Sequence, residues 1–375
     1  MLAPRELKAR VALLRICPLL ATQSQPHGLP DQTILKGMPI LSPLRITVLM
    51  GGASAERDVS LASGLRIADA LAARGHKVTA LDPAVGVLSS AHLDELRRSN
   101  VGTKPPGLEE LAGLGNGRLL DGLTAMPEVR DADVVFLALH GGQGEDGTIQ
   151  ALLDMAGVRY TGSGHLASAL AMDKDLSKVL FRAAGVQTAD WLMAPQPGKL
   201  VEQSLGLPVV VKPSKQGSTV GLSIVRDISE LDAAVAEAFR YDDEVMIERF
   251  IAGRELTVGV LGDETFPVGE IKPVKELYDY ECKYTAGMAV EEFPANLLQS
   301  VTNKLREQSL RAFRALKLRG YARVDFRLDD RGECFCLEAN TLPGMTRTSL
   351  IPQGAAAAGM GFEELCERIV QLAIV

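Results

Sequence analysis

Residues 321–350 read YARVDFRLDDRGECFCLEANTLPGMTRTSL, and this stretch decides the fold. Two β-prone runs, Tyr321 to Leu328 and Glu333 to Asn340, flank the polar cluster Asp329-Asp330-Arg331-Gly332. A four-residue loop closing on glycine between such runs predicts a hairpin. Side chains on a strand repeat every second residue, so Arg323 and Asp325 share a face, as do Glu338 and Asn340. Pairing Leu328 with Glu333 sets Arg323 opposite Glu338 and brings all four polar side chains to one side of the sheet. Asp325, Glu338 and Asn340 then offer hard oxygen donors suited to Mg²⁺, whose octahedron is completed by water and substrate phosphates. A solvated strand face with an Arg–Glu cross-strand pair is the competing reading. Beyond Asn340, Thr341-Leu342-Pro343-Gly344-Met345-Thr346 is a small-residue turn with backbone N–H groups near that cluster.

Upstream lie segments that fit a nucleotide. Val245 to Val260 (VMIERFIAGRELTVGV) reads as strand, turn and strand. Its Glu248 and Glu255 flank an apolar linker. Carboxylates there suit ribose hydroxyls, and backbone groups near Ile251 suit an adenine edge. Leu207 to Lys212 is a strand, Pro213 to Gly221 (PSKQGSTVG) a small-residue loop, and Leu222 to Val225 the return strand. A lysine at a strand end beside such a hairpin can fold N–H groups over phosphates; an ordinary flexible hairpin reads the same way. The chain holds no G-x-x-x-x-G-K-[ST]. Ala167 to Arg182 is a helical region carrying Asp173-Lys174, and the surface is the default place for Lys174. Lys272 to Gly287 (KPVKELYDYECKYTAG) has no clean period and reads as a loop that covers a ligand, with Lys283 and Tyr284 near its end. Leu305, Ala312, Phe313 and Leu316 mark a helix from Asn303 to Leu318. Phe362, Leu365, Ile369 and Leu372 mark a terminal one.

The first convincing strand is Arg45 to Met50, running into Gly51-Gly52-Ala53-Ser54. A helix follows, with Ser54 as its cap, Glu56 and Asp58 in its first turn, a stripe of Leu61, Leu65, Ala68 and Leu71, and a stop at Gly75. Lys77 to Leu81 is the next strand. This β-loop-α-β opening is that of a doubly wound parallel sheet, where ligands sit at the carboxyl ends of strands. Glu56 falls there, where it also complements the helix dipole. Pro83 to Asp131 reads as a peripheral insertion of one or two helices. Val134 to Leu139 is a buried strand ending in His140-Gly-Gly-Gln-Gly-Glu-Asp-Gly147, before a helix from Thr148 to Met155. Gly142 to Gly147 matches G-x-G-x-x-G in the context of a dinucleotide site, but Glu145 and Asp146 would repel a pyrophosphate. His140 is either a ligand group or a structural histidine at a strand end.

The chain has 375 residues, enough for two or three domains. Its 46% hydrophobic and 23% charged content is that of a globular enzyme with large cores. A net charge of −7 argues against a general nucleic-acid binder. The five cysteines are odd in number and form no C-x-x-C pair, which fits free thiols in a reducing cytoplasm. Cys334 and Cys336 read as strand packing or as a soft metal pair. No apolar run approaches the ~20 residues that span a bilayer. In residues 1–44 a basic start and a short apolar core, broken by Arg15 and Pro18, read as a poor signal peptide or a disordered extension from an upstream start.

Taken together, GGASAERDVSL at 51–61, LHGGQGEDG at 139–147, TGSG and AMDK within 161–174, VKPSKQGSTVG at 211–221, ECKY at 281–284, RVDF at 323–326 and LEANTLPGMTRTSL at 337–350 resemble the D-alanine–D-alanine ligase family of the ATP-grasp superfamily. The likeness runs from about Arg45 to the C-terminus. The chain departs from it in the N-terminal extension and in a long stretch from Val87 to Glu128. The resemblance implies an α/β fold: a Rossmann-like domain at 45–173, a central ATP-grasp subdomain at 174–255 and a C-terminal one at 256–375, the last two sandwiching ATP. It implies the joining of two D-alanines through an acyl phosphate at the expense of ATP, in a cytoplasmic homodimer that serves peptidoglycan synthesis. By resemblance, Glu56 holds the first D-alanine's ammonium, with His140 nearby. Lys174, Lys212 and Lys283 meet the phosphates, and Glu248, Arg249, Ile251 and Glu255 surround the adenosine. Asp325, Glu338 and Asn340 hold two Mg²⁺ ions, with Mn²⁺ as a substitute. Arg323 and the Gly344 N–H form an oxyanion hole, Ser349 and Leu350 take the second D-alanine's carboxylate, and Ser218 and Tyr284 link to Glu56. Tyr284 goes with D-alanine rather than D-lactate as second substrate. The rivals are another ATP-grasp carboxylate–amine ligase, a nicotinamide-dependent oxidoreductase using Gly142 to Gly147, and a non-catalytic nucleotide sensor. The first gives no use to Glu56 with Ser349-Leu350; the second gives none to Lys212, Asp325 or Glu338.

Overall fold

Three sheets order the chain in the computed structural model, which describes residues 42–98, 120, 122–274 and 287–374. The first holds β1 (Arg45–Leu49), β2 (Lys77–Asp82), β3 (Gly86–Val87) and β4 (Val134–Leu137) in the order β3-β2-β1-β4. β1 runs parallel to β2 and β4, and only β3 is antiparallel. All of β4 and all of β1 after Arg45 are buried, as in a parallel sheet covered on both faces. The helix Arg57–Ala73 is the crossover between β1 and β2. The terminal helix Phe362–Ile374 packs on that helix, and its buried Glu367 bonds His76 Nε2 at 2.8 Å. Leu44, placed by the sequence in the extension, is already tied in: its N–H donates to His76 Nδ1 at 3.2 Å.

Some local expectations are corrected. Ser54 does not cap the first helix. Glu56 is the residue before its first turn; the Ser54 hydroxyl accepts the Glu56 N–H at 3.2 Å and donates to the His140 carbonyl at 2.5 Å. The region 167–182 is two helices, His165–Met172 and Lys174–Ala183, broken where Asp173 turns extended and caps the second through the Leu176 N–H. The tail of the expected peripheral insertion is not peripheral, because Leu123 and Val129 are fully buried.

The second sheet is antiparallel: β5 (Trp191–Met193), β6 (Val209–Pro213), β7 (Ser223–Val225) and β8 (Val245–Arg249), in the order β5-β8-β6-β7. Its alternation divides labour. Val209, Val211, Val245 and Ile247 enter a core with Leu205, Leu231 and Ala234 of the flanking helices, while Val210, Lys212 and Glu248 face a cleft.

The third sheet has β9 (Arg254–Leu261), β10 (Glu264–Thr265), β11 (Gly269–Pro273), β12 (Ala289–Glu292), β13 (Tyr321–Leu328) and β14 (Cys334–Asn340), in the order β12-β11-β9-β13-β14 with β10 on β9. Leu256, Val258, Val324, Phe326, Cys334 and Cys336 pack on the helix Gln299–Ala315 through Leu305, Ala312 and Phe313. The two cysteines are thus core residues.

The expected hairpin forms, in a different register. Residues 329–333 make the turn, with the Asp329 N–H donating to the Glu333 carbonyl at 3.0 Å, so Leu328 faces Cys334 rather than Glu333. Carried on unchanged, that pairing would send Glu338 and Asn340 to the core face. A bulge between Phe326 and Asp325 prevents it: Leu337 is the extra residue, and beyond it Asp325 faces Glu338 and Arg323 faces Asn340. The bulge is held from the side, because the Cys336 N–H donates to the Gln187 carbonyl at 2.8 Å and the Cys336 carbonyl accepts the Thr188 hydroxyl at 2.8 Å. Deleting Leu337 should therefore turn a carboxylate and an amide into the core, at a cost of about 3 kcal/mol or more, whereas Leu337→Ala keeps the bulge. Urea unfolding checks this, and equal midpoints for the two variants would contradict the assigned register.

Candidate functional site

The polar faces of the second and third sheets enclose one cleft, lined by Lys174, Lys212, Glu248, Arg323, Asp325 and Glu338 among others. The four polar residues of the hairpin lie on its third-sheet wall. The Asp325 carboxylate accepts from Arg323 Nε at 3.0 Å and Nη2 at 2.9 Å, from Asn340 Nδ2 at 3.0 Å, and from the Thr257 hydroxyl of β9 at 2.7 Å. Thr257, directly opposite Asp325 in the ladder, was not anticipated. Lys174 is no surface lysine. It is 7% exposed, donates to the Gln216 carbonyl at 2.7 Å, and lies 3.4 Å from Glu338.

On the opposite wall Glu248 sits between two lysines. Lys212 Nζ donates to it at 2.5 Å, and Lys178, which the sequence reading passed over, pairs with its other oxygen and donates to the Thr188 hydroxyl at 2.6 Å. Burial alone would raise the Glu248 carboxyl; Lys178 and Lys212 overcome it and hold the group at about 2. Burial lowers the Lys178 ammonium, against the pull of Glu248. The signal for Lys178 was its place one helical turn after Lys174, with Ser177 and Phe181 on the same buried face.

Further along the cleft, Arg327 Nε donates to the Ile251 carbonyl at 3.1 Å and Nη1 lies 3.2 Å from Glu255, so a second unanticipated arginine shapes the expected adenosine region. It is two residues beyond Asp325, on the same strand face. Arg249 lines the cleft too, while its guanidinium turns to Asp190 at 2.8 Å and to the Leu205 carbonyl at 3.2 Å.

Glu56 meets Ser218 across the far end of the cleft, where the serine hydroxyl donates at 2.5 Å. Ser218 and Thr219 are both left-handed, with φ of 52° and 59°, a costly backbone for such residues. A side chain on Gly141 would come within 3.2 Å of Glu56, so the glycine leaves that carboxylate room. Glu145, the acidic member of the glycine-rich loop, accepts the Gly141 N–H at 2.9 Å; burial and nearby Glu56 raise its carboxyl to about 8. His140 resolves as a strut. Nδ1 donates to the Leu342 carbonyl at 2.9 Å and Nε2 faces the Ser63 hydroxyl at 3.2 Å. Burial lowers its pKa, against the pull of Glu56 and the Leu342 carbonyl.

Gly344 and Ser349 stand side by side after β14. A Cβ on Gly344 would lie 2.8 Å from Ser349 Oγ, so a side chain there would displace that hydroxyl. Ser349 precedes the helix Leu350–Ala357, whose first N–H groups are a natural carboxylate seat. Leu350 is buried at that end. Lys283 and Tyr284 lie outside the described residues.

The donor set fits Mg²⁺ in one respect and limits it in another. Asp325, Glu338 and the Asn340 amide are hard oxygen ligands on one strand face. Among the described residues no three His, Cys, Asp or Glu side chains gather as a metal cage.

The chain matches two family descriptions, D-ala D-ala ligase N-terminus over residues 45–163 and D-ala D-ala ligase C-terminus over residues 173–371. It is 44% identical over 336 residues to the D-alanine–D-alanine ligase of Geotalea uraniireducens, covering 89% of this chain and 96% of that one. It is 44% identical over 335 residues to the enzyme of the same name from Geobacter sulfurreducens, covering 88% and 94%. The D-alanine–D-alanine ligase of Bacillus anthracis, solved in complex with ATP, matches with a TM-score of 0.69 at 30% identity, covering 88% of this chain and 97% of that chain.

The Lys178–Glu248–Lys212 cluster sets a stability expectation. Glu248 lies at about 2, below its ordinary 4.5, so the folded state binds fewer protons between these values. Its contribution is therefore whole above 4.5 and is lost as pH falls toward 2. Lys178→Met should cost about 3 kcal/mol near neutrality and flatten that acid loss. Urea midpoints from pH 7 to 3 measure both effects; a variant with the parent's midpoints throughout would show that Lys178 does not hold the carboxylate.

Proposed function

The chain belongs to the D-alanine–D-alanine ligase family, and from that membership we propose how its residues divide the work. The activity is ATP-dependent joining of two D-alanines, for peptidoglycan precursor synthesis, on an ATP-grasp fold. The observation that carries the residue assignment is the convergence of Arg323, Asp325, Glu338 and Asn340 on one wall of a cleft whose other wall presents Lys212.

In this reading ATP lies between the second and third sheets, its adenosine beside Glu248, Ile251, Glu255 and the backbone of Arg249. Lys174, Lys212 and Lys283 hold the phosphates. Glu56 orients the first D-alanine by its ammonium, and that D-alanine's carboxylate oxygen takes the γ-phosphoryl group from ATP, with ADP as the leaving group. The second D-alanine's amine then attacks the acyl phosphate, phosphate leaves, and the peptide bond forms. Both steps build charge on oxygen, which Arg323 and the Gly344 N–H are placed to offset. Ser349 and the helix end at Leu350 seat the second carboxylate. Asp325, Glu338 and Asn340 would hold Mg²⁺, which when bound offsets charge on the phosphates. His140 supports the site from behind, and Ser218 closes on Glu56, with Tyr284 as the third member of that link. The three parts at 45–173, 174–255 and 256–375, the homodimer and a cytoplasmic location complete the proposal. Among the described residues no helix is long and apolar enough to cross a membrane.

ADP release with ATP and Mg²⁺ should require D-alanine and fail with L-alanine. With D-lactate supplied beside D-alanine at neutral pH, dipeptide should dominate over ester; a predominance of ester would reject the role given to Tyr284. Glu338→Gln should lower turnover by about 10²-fold or more with the urea midpoint kept, and parent-like turnover would remove Glu338 from the metal site.

A further inference from the structure

The helix Arg57–Ala73 does more than present Glu56 at its start. Two turns on, its Ser63 and Arg66 reach the segment that carries Gly344 and Ser349. Ser63 Oγ accepts the Met345 N–H at 3.1 Å. Its own hydrogen is then directed to His140 Nε2 at 3.2 Å, and His140 Nδ1 donates onward to the Leu342 carbonyl at 2.9 Å. Arg66 Nη1 donates to two successive carbonyls, Met345 at 3.1 Å and Thr346 at 2.8 Å. The guanidinium is set by Phe362, whose ring centre lies 3.5 Å from Cζ. Thr346 in turn donates its N–H to Ser349 Oγ at 3.0 Å. One residue therefore joins Arg66 to the end of the helix Leu350–Ala357.

We propose that Arg66, assisted by Ser63, is the positioning residue of the second amino-acid subsite. The inference rests on the ligase reading above and adds to it. Residues 341–349 form no regular element, so side chains from elsewhere must fix where Gly344 and Ser349 stand. An attacking amine must come within about 3–3.5 Å of its carbon, and a misplacement of about 1 Å costs about 10²-fold. Glu56 and Arg66 are on one rigid helix, so the spacing between donor and acceptor seats is set by helix geometry rather than by loop conformation. Arg66 makes no contact with either proposed substrate position; it acts through the Met345 and Thr346 carbonyls.

The test separates the two subsites. Hydroxylamine attacks the acyl phosphate of the first D-alanine through its nitrogen and expels phosphate, giving a hydroxamate with no need for an acceptor carboxylate seat. Arg66→Met should raise the D-alanine concentration that half-saturates dipeptide formation by roughly tenfold or more, and change ATP-dependent hydroxamate formation by less than about twofold. Arg66→Lys, which can still donate to a carbonyl, should recover part of the loss. Ser63→Ala, which leaves the Phe362 contact intact, should show the same split more weakly and serves if the first variant does not fold. Parent-like dipeptide kinetics, or equal losses in both assays with a lowered urea midpoint, would overturn the proposal. A parent protein that forms neither dipeptide nor hydroxamate would instead reject the ligase reading itself.

Discussion

One extra residue in one strand decides which side of a sheet the chemistry is on. The turn at 329–333 commits Cys334 and Cys336 to the core with Phe326, and a ladder continued from there would bury Glu338. Leu337 interrupts the count, and from that point the polar residues face the cleft. A sheet's period of two allows no partial answer, since a slip of one residue exchanges the faces completely. The bulge is therefore anchored, with both backbone groups of Cys336 bonded to residues 187 and 188. It also bends the strand locally where Asp325, Glu338 and Asn340 must converge.

The two walls use the same alternation with opposite charge. On β6 and β8, Lys212 and Glu248 occupy the positions that the core valines leave free, and Lys178 enters from a helix behind. On β13, Asp325 is surrounded by Arg323, Asn340 and Thr257. Asp325 is thus met by one cation and two neutral donors, and Glu248 by two cations. An ion in such a place is tolerable only when its remaining lone pairs are satisfied. The second lysine on Glu248 keeps that carboxylate ionised.

Much of this was legible because it is periodic. The hairpin, the parallel opening of the first sheet, and the alternation that groups Arg323 with Asp325 follow from spacing alone, and the glycine-rich stretches marked the loops that meet the cleft. What was not legible depends on contacts far apart in sequence. Lys178 is an ordinary amphipathic-helix lysine until a strand 70 residues on supplies Glu248. Ser54 fits a helix cap by local chemistry, but the helix starts two residues later at Arg57, so its hydroxyl accepts only the Glu56 N–H while it donates to the distant His140 carbonyl. The hairpin register missed by one residue at the turn and by a second at the bulge, so the partners differ by two while the faces agree. The shared polar face was anticipated correctly, from a pairing that does not occur.

The strained serine loop is where the second sheet meets the helix that follows β1. Ser218 belongs to the loop between β6 and β7, Glu56 opens the first helix, and Gly217 passes close enough that a side chain there would lie 3.4 Å from the same carboxylate. Two consecutive non-glycine residues in left-handed conformation cost of order 1–3 kcal/mol each and persist only where surroundings over-determine them. Glycine would relieve that strain, yet the Ser218 hydroxyl is the atom that reaches Glu56. The loop is also held on its outer side, with the Lys215 N–H on Asp242 at 2.6 Å and the Gln216 amide on the Tyr241 carbonyl at 3.0 Å. Strain on the inside and tethers on the outside fix the loop against the helix that starts at Arg57. That helix, further along, holds residues 345 and 346 of the last segment. The serine loop and the segment at 345–346 thus share one rigid reference.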